Sequence, residues 1–142
     1  MLEFATKLSL VMNIVTEAGC GINALLRDPT LTCSFVGKDP VMVPLFGVTL
    51  TSLAASTLQA YRQDDNAVAV PVLAGLGFYH FGVAWLFGFA ETKAIDARFP
   101  ATDVQKRMMG RNGAISGAVF HILEGGITIW GLIAAIKTSR RV

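Results

Sequence analysis

Two carboxyl groups and two imidazoles stand inside the most apolar parts of this 142-residue chain. Glu17 interrupts a first apolar stretch, His80 lies in a third, and His121 and Glu124 lie in a fourth. Ionisable residues are costly to place inside a membrane, and where they occur they generally mark a functional site. A carboxyl in such surroundings can donate a proton while a neighbouring carboxylate or imidazole accepts one. These residue types therefore indicate acid and base catalysis.

The elements that must position these groups are four apolar stretches, each close to the roughly 20 residues that a helix needs to cross a bilayer. We predict transmembrane helices over residues 8–26, 41–60, 67–90 and 113–136. No alternating strand pattern is present, and backbone exposed to lipid must satisfy its hydrogen bonds within a helix. Short connections make sequential neighbours antiparallel, so both termini are expected on one side. The predicted fold is an all-α four-helix transmembrane bundle.

The composition supports a lipid environment. The chain is 53% hydrophobic and 15% charged, with a mean hydropathy of +0.54, whereas soluble domains carry about 25% charged residues. A net charge of +2 without a basic run excludes a nucleic-acid partner. The length allows one domain, residues 1–142. We expect an integral membrane protein, in the endoplasmic reticulum if the source is eukaryotic.

Depth along the helices brings the ionisable groups together. With a rise of about 1.5 Å per residue, they fall in one layer near the middle of the membrane. The candidate catalytic residues are therefore Glu17, His80, His121 and Glu124. Residues of the same layer or its mouth are the candidate substrate-binding residues, namely Asn13, Thr49, Tyr79, Trp85 and Glu91.

Other interpretations of the same residues remain. As structural glue, they would bond helices together in a non-enzymatic bundle that binds a lipid or a partner helix. A metal centre is expected less than proton chemistry, because no Glu-x-x-His pair occurs and His121-x-x-Glu124 has the reverse order. We therefore expect no metal and no cofactor. Gly110, Gly113 and Gly117 would allow close packing, within one bundle or in a homo-oligomer.

Three local sequences carry a family resemblance: Asn13-Ile14-Val15-Thr16-Glu17, Tyr79-His80 and His121-Ile122-Leu123-Glu124. With its size and acid content, the chain resembles the small integral-membrane enzymes of fungal polyketide and meroterpenoid pathways, the aurovertin-type epoxide hydrolases and cyclases. That resemblance implies opening or cyclisation of an epoxide on an apolar small molecule. Similarity to the sterol isomerase group implies a proton-shuttling isomerase or cyclase of a terpenoid or sterol-like substrate. Similarity to DoxX-like proteins implies an accessory membrane subunit.

The leading expectation is an enzyme that opens epoxides. One carboxyl protonates the epoxide oxygen, while the other carboxylate, or a histidine, activates water or an internal hydroxyl for attack on carbon. Glu17 and Glu124 are expected to form this pair, and His80 and His121 to set their protonation. The sequence leaves open which carboxyl is the acid.

Overall fold

The computed structural model describes residues 1–26, 42–89 and 113–140, with side chains over 1–26, 44–85 and 117–140. Within these ranges the chain forms four helices and no strand, which confirms the all-α class. The helices are α1 (Phe4–Leu26), α2 (Met42–Gln63), α3 (Asn66–Phe89) and α4 (Gly113–Ser139).

The helices extend beyond the predicted spans. The first begins at Phe4 rather than at residue 8, the second ends at Gln63 rather than at 60, and the fourth ends at Ser139 rather than at 136. The predicted spans end where the apolar stretches end, but a helix can continue through long polar side chains such as Lys7 and Lys137, whose charged ends extend away from an apolar surface.

Three helical segments are long and apolar enough to cross a membrane, namely Phe4–Leu26, Asn66–Trp85 and Gly117–Ser139. Only 28% to 39% of their most apolar windows is buried inside the bundle. Large apolar side chains therefore face outward, as Phe78 does with 84% of its surface exposed. An apolar surface of this extent requires lipid, so the protein associates with a membrane. For α2, the crossing stays a prediction.

The helices form a ring in which each runs antiparallel to its neighbours. The most extensive packing joins α1 to α2 and α3 to α4, and contacts of α1 with α4 and of α2 with α3 close the ring. Gly21 lies against Thr51, and Gly47 lies against Leu25, so residue numbers rise in α1 as they fall in α2. A Cβ atom on Gly21 would stand 2.6 Å from Thr51 Oγ1, so glycine permits this close approach.

The crossing of α1 and α4 places both termini at one end of the bundle. Thr6 Oγ1 donates to the carbonyl oxygen of Gly131 at 3.1 Å, and Asn13 Nδ2 donates to Thr128 Oγ1 at 3.0 Å. These pairs set the two helices antiparallel, as predicted. The main apolar core lies at the same end, and it consists of Leu2, Leu10, Ala60, Ala69, Leu73 and Leu76.

We expect Gly131→Ala to lower the melting temperature. A Cβ atom at Gly131 would collide with Ser9 Cβ, so the crossing helices would have to separate. Overpacking of this kind typically costs about 1–3 kcal/mol, more than the roughly 1 kcal/mol that alanine gains over glycine in a helix. Thermal unfolding in detergent measures the change. The control is Gly126→Ala in the same helix, where a Cβ atom meets nothing within 4 Å. Equal melting temperatures for the two variants would contradict the expectation.

Asp64 joins the N-terminus to the turn between α2 and α3. Its Oδ1 accepts the Leu2 N–H at 3.0 Å and lies 3.0 Å from Lys7 Nζ. Its backbone has a φ of 53°, which Asp and Asn tolerate better than most residues. Asp65 Oδ1 accepts the N–H of Ala67 at 2.9 Å and caps α3. The turn thus fixes the start of α1 against the end of α2.

A pH dependence follows from this turn. The Leu2 N–H first, and then the Lys7 side chain, lower the pKa of Asp64 from its ordinary value of 3.8. Because the folded pKa is the lower one, the stabilisation is complete above the unfolded value and disappears as the pH falls through the folded pKa. We expect the wild type to lose melting temperature below about pH 4 more steeply than Asp64→Asn, which keeps the acceptor without the charge. Parallel curves for the two proteins would argue against this coupling.

Candidate functional site

His80 is the centre of the candidate site. Its side chain on α3 is fully buried, with no exposed surface. Its Nε2 lies 2.8 Å from Asn13 Oδ1 on α1, and its Nδ1 lies 3.1 Å from His121 Nδ1 on α4. One imidazole therefore connects three helices.

The hydrogen bonds of the Asn13 amide determine which nitrogen of the His80 ring carries the hydrogen. Asn13 Nδ2 donates to the carbonyl oxygen of Ser9 at 2.8 Å and to Thr128 Oγ1 at 3.0 Å. Thr128 Oγ1 in turn donates to the carbonyl oxygen of Glu124 at 2.8 Å. Asn13 Oδ1 must therefore face His80 as an acceptor, and the Nε2 of His80 must donate to it. In the neutral ring, Nδ1 then carries the lone pair and accepts the N–H of His121.

The two carboxyl groups lie at opposite nitrogens of the same ring. Glu17 Oε1 is 3.7 Å from His80 Nε2, and Glu124 Oε2 is 3.6 Å from His80 Nδ1. Glu17 is 2% exposed and Glu124 is 4% exposed. Within the described part of the chain, neither oxygen of the Glu124 carboxyl group makes a hydrogen bond of good geometry, and the hydroxyl of the neighbouring Thr16 donates instead to the carbonyl oxygen of Met12 at 3.0 Å. Buried polar atoms are normally bonded, so these two oxygens require an explanation.

Helical spacing explains how the site is assembled. Ser9, Asn13 and Glu17 are four residues apart and share the inner face of α1. Glycines allow α3 and α4 to pack closely on either side of the histidines. A Cβ atom on Gly77 would stand 3.1 Å from Ile129 Cδ1, and one on Gly125 would stand 3.1 Å from the ring of Phe81. This close packing lets His80 reach His121.

Most of the predicted site residues meet at this place. Glu17, His80, His121, Glu124 and Asn13 form the cluster described above. Tyr79 is half-buried, and its ring centroid lies 5.0 Å from that of His80 and 5.9 Å from that of His121, edge-on in both cases. Tyr79 therefore flanks the two imidazoles.

Two predicted substrate-binding residues lie on exposed helix faces and are not part of the cluster. Thr49 is exposed, and its hydroxyl donates to the carbonyl oxygen of Leu45 in its own helix at 3.0 Å. Trp85 is 62% exposed. Depth along a helix fixes the layer of a residue but not the face on which it lies. Glu91 lies outside the described residues.

Ser9 and Thr128 belong to the site but are not among the predicted residues. Both lie four positions from a predicted one, Ser9 before Asn13 and Thr128 after Glu124, and this spacing is the signal that identifies them. Gly117 is buried within the bundle. Gly110 lies outside the described residues, and a homo-oligomer stays a prediction.

Comparisons with known proteins add no assignment. No protein-family model, curated protein or solved structure matches the chain at a significant level. The function must therefore be argued from the site itself: two carboxyls, two imidazoles and one amide in a buried layer of an apolar bundle.

Proposed function

We propose that the protein is an integral membrane enzyme that opens or cyclises an epoxide on an apolar small molecule by acid and base catalysis. One observation carries the proposal: a buried imidazole lies between two buried carboxyls, one of which makes no hydrogen bond of good geometry in the described ranges. If these residues only joined the helices together, their buried polar atoms would be hydrogen-bonded, because a buried polar atom without a hydrogen bond costs about 1–3 kcal/mol. A carboxyl left without a hydrogen bond despite this cost in stability is available to bind a substrate.

The position of the hydrogen on His80 supports a role for each carboxyl. Its Nε2–H, which Asn13 Oδ1 accepts, lies at the end of the ring next to Glu17, so the positive end of the ring dipole favours an ionised carboxylate there. Its Nδ1 carries no hydrogen and already accepts the N–H of His121, so His80 offers Glu124 no donor and favours its neutral, protonated form. Glu17 is therefore the general base, and Glu124 is the general acid.

Epoxide opening needs only the two carboxyls, the substrate and, where the substrate has no hydroxyl of its own, water. Glu124 gives its proton to the epoxide oxygen as the carbon–oxygen bond breaks, and Glu17 takes a proton from the attacking water or internal hydroxyl as the new bond forms. Water yields a diol, and an internal hydroxyl yields a cyclic ether. Turnover leaves Glu17 protonated and Glu124 ionised. The cycle closes when a proton leaves Glu17 and another returns to Glu124.

The surroundings suit an apolar substrate that enters from the bilayer. The rings of Tyr79 and Phe120 meet the half-buried His121 edge-on, with centroid distances of 5.9 Å and 5.4 Å. The exposed surface of the helices is apolar, so a greasy molecule would partition to the protein through lipid. The resemblance to aurovertin-type enzymes, and with it a place in the endoplasmic reticulum, belongs to the same proposal.

A proton-shuttling isomerase or cyclase of a terpenoid or sterol-like substrate is the second candidate. It is favoured by the contact of one imidazole with both carboxyls, because isomerisation removes a proton at one carbon and adds one at another. This reaction needs the same acid and base but no attacking water.

Turnover in liposomes tests the proposal. The purified protein is given a panel of terpenoid epoxides and the matching alkenes in ¹⁸O-labelled water or in D₂O. Epoxide opening is expected to yield a diol with one ¹⁸O, or an unlabelled cyclic ether. Deuterium incorporation into an alkene, with no epoxide turnover, would favour the isomerase instead. If neither reaction occurs, the non-enzymatic lipid- or partner-binding bundle remains.

A further inference from the structure

We propose that His80, His121 and Glu124 bind one divalent transition-metal ion through Nδ1, Nδ1 and Oε2. The sequence argues against a metal, because metal sites in helix bundles usually contain a Glu-x-x-His pair within one helix, and no such pair occurs here. The structure supplies the third ligand from another helix, since His80 on α3 faces His121 and Glu124 on α4. The inference stands apart from the proposed function, because ion binding needs no substrate.

The two separations of His80 Nδ1 from the other two ligand atoms fit a single ion. His80 Nδ1 lies 3.1 Å from His121 Nδ1 and 3.6 Å from Glu124 Oε2, and ligand atoms from all three residues lie within 4.8 Å of one another. Bonds of about 2.0–2.2 Å place two ligand atoms about 2.9 Å apart at a right angle and about 3.4 Å apart at a tetrahedral angle. The two measured distances differ from this range by no more than a few tenths of an ångström.

The hydrogen bonds around His80 orient it as a metal ligand. Histidines that bind metals almost always donate their other ring N–H to a carboxylate, a carbonyl or water. His80 donates Nε2–H to Asn13 Oδ1, and Asn13 is itself held by Ser9 and Thr128. The remaining nitrogen, Nδ1, is therefore presented with its lone pair inward.

The unbonded carboxyl of Glu124 is an independent sign of a cation. The residue is 4% exposed, and its two oxygens make no hydrogen bond of good geometry in the described ranges. One of these oxygens lies 3.6 Å from His80 Nδ1, a nitrogen without a hydrogen that accepts the N–H of His121. A buried carboxyl oxygen beside a nitrogen that offers it no hydrogen needs a positive group, and a proton or a metal ion supplies it. A metal ion also takes the place of the hydrogen between the two histidines: His121 binds through Nδ1 in its other neutral tautomer, with the hydrogen on Nε2, and a proton leaves the Glu124 carboxyl on binding.

The ligand set indicates the class of ion. Imidazole favours first-row transition metals, whereas Mg²⁺ and Ca²⁺ prefer oxygen ligands. Two histidines and one carboxylate are the ligands of catalytic Zn²⁺ sites with an open position and of non-haem Fe²⁺ centres. Glu17 lies at the opposite nitrogen of His80 and is not a ligand. If the ion and the epoxide chemistry coexist, Glu124 would hold the ion instead of a proton, and the Lewis acidity that the epoxide oxygen needs would come from that ion.

Metal titration of the purified protein in detergent tests the inference. After treatment with a chelator, Zn²⁺, Co²⁺ and Mg²⁺ are added separately, and binding is followed by calorimetry and by the visible spectrum of Co²⁺. We expect one Zn²⁺ or Co²⁺ per chain, a melting temperature raised by Zn²⁺ but not by Mg²⁺, and affinity at least 100-fold lower in His121→Ala and Glu124→Gln. Glu17→Gln is the matched control, a buried Glu→Gln change that removes a nearby charge but no ligand atom and is expected to lower the affinity much less than Glu124→Gln does. Cys20→Ser removes a nearby thiol and is expected to leave binding unchanged.

Three results would overturn the inference: no stoichiometric ion, equal losses in Glu17→Gln and Glu124→Gln, or loss of binding in Cys20→Ser. If Glu124→Gln fails to fold, His121→Ala and Glu124→Asp provide the comparison, and an unchanged Co²⁺ spectrum in both counts against the site. Failure here is distinguishable from failure of the proposed function. Epoxide turnover that persists in chelator leaves the acid and base mechanism in place, and ion binding without turnover leaves the metal site in place.

Discussion

Replacing Glu124 by Gln is expected to lower kcat/KM for epoxide opening by about 10²–10⁴-fold, the usual contribution of a general acid. Glutamine keeps the size of the side chain but has no acidic proton to give to the epoxide oxygen. Glu17→Gln is expected to lower kcat/KM by a similar factor, because the amide cannot accept a proton from the nucleophile. Turnover by the folded variants in liposomes measures both effects.

The double variant makes this expectation specific. Two groups that act in one step are not additive, so Glu17→Gln with Glu124→Gln is expected to be about as slow as either single variant. Glu3→Gln changes an exposed glutamate and is the control, with unchanged activity expected. If activity instead follows the folded fraction of each variant, the two carboxyls are structural, and the assignment of acid and base is wrong.

The sequence predicts the helices and the layer of the site because both follow from one-dimensional quantities. Apolar length defines the four helices. Depth along each helix brings Glu17, His80 and Glu124 to one level, and the structure shows both carboxyl groups within 3.7 Å of the His80 imidazole. A charged residue in an apolar segment has few places to lie other than the interior of the bundle, which is why the prediction of convergence holds.

The sequence does not determine how each helix is rotated about its axis, and therefore which face points into the bundle. Thr49 has the right depth but lies on the exposed face of α2, because Gly47 and Leu50 occupy the inner face. Close packing fixes that choice, since Gly21 of α1 lies directly against Thr51. Such a contact depends on the rotation of two helices together and is not encoded in the hydropathy of either one.

The hydrogen-bond chain through Asn13 has a similar origin. It requires Asn13 on α1 to stand level with Thr128 on α4. The position of α1 along α4 is set where the two helices cross, because Gly131 has no side chain and leaves space for Ser9. The residues of the chain can be recognised by their spacing of four, but their pairing depends on a contact between distant segments.

His80→Leu is expected to lower the free energy of unfolding by about 1–3 kcal/mol, the largest stability effect at the site. Leucine fills much of the same volume, but it leaves the buried Asn13 Oδ1 without its donor. Each buried polar atom that loses its partner costs about 1–3 kcal/mol. Reversible unfolding in mixed detergent micelles provides the measurement.

A double-mutant cycle separates this polar contribution from packing. Asn13→Leu alone removes the acceptor of His80 and leaves the hydroxyl of Thr128 without its donor. When both residues become leucine, the pair is apolar on both sides, and such replacements are nearly neutral compared with breaking one side only. The double variant is therefore expected to be more stable than the sum of the single losses predicts, by about 1–3 kcal/mol. Additive losses would show that the imidazole is held by packing, and the tautomer that assigns the acid, the base and the metal ligand would then lose its structural basis.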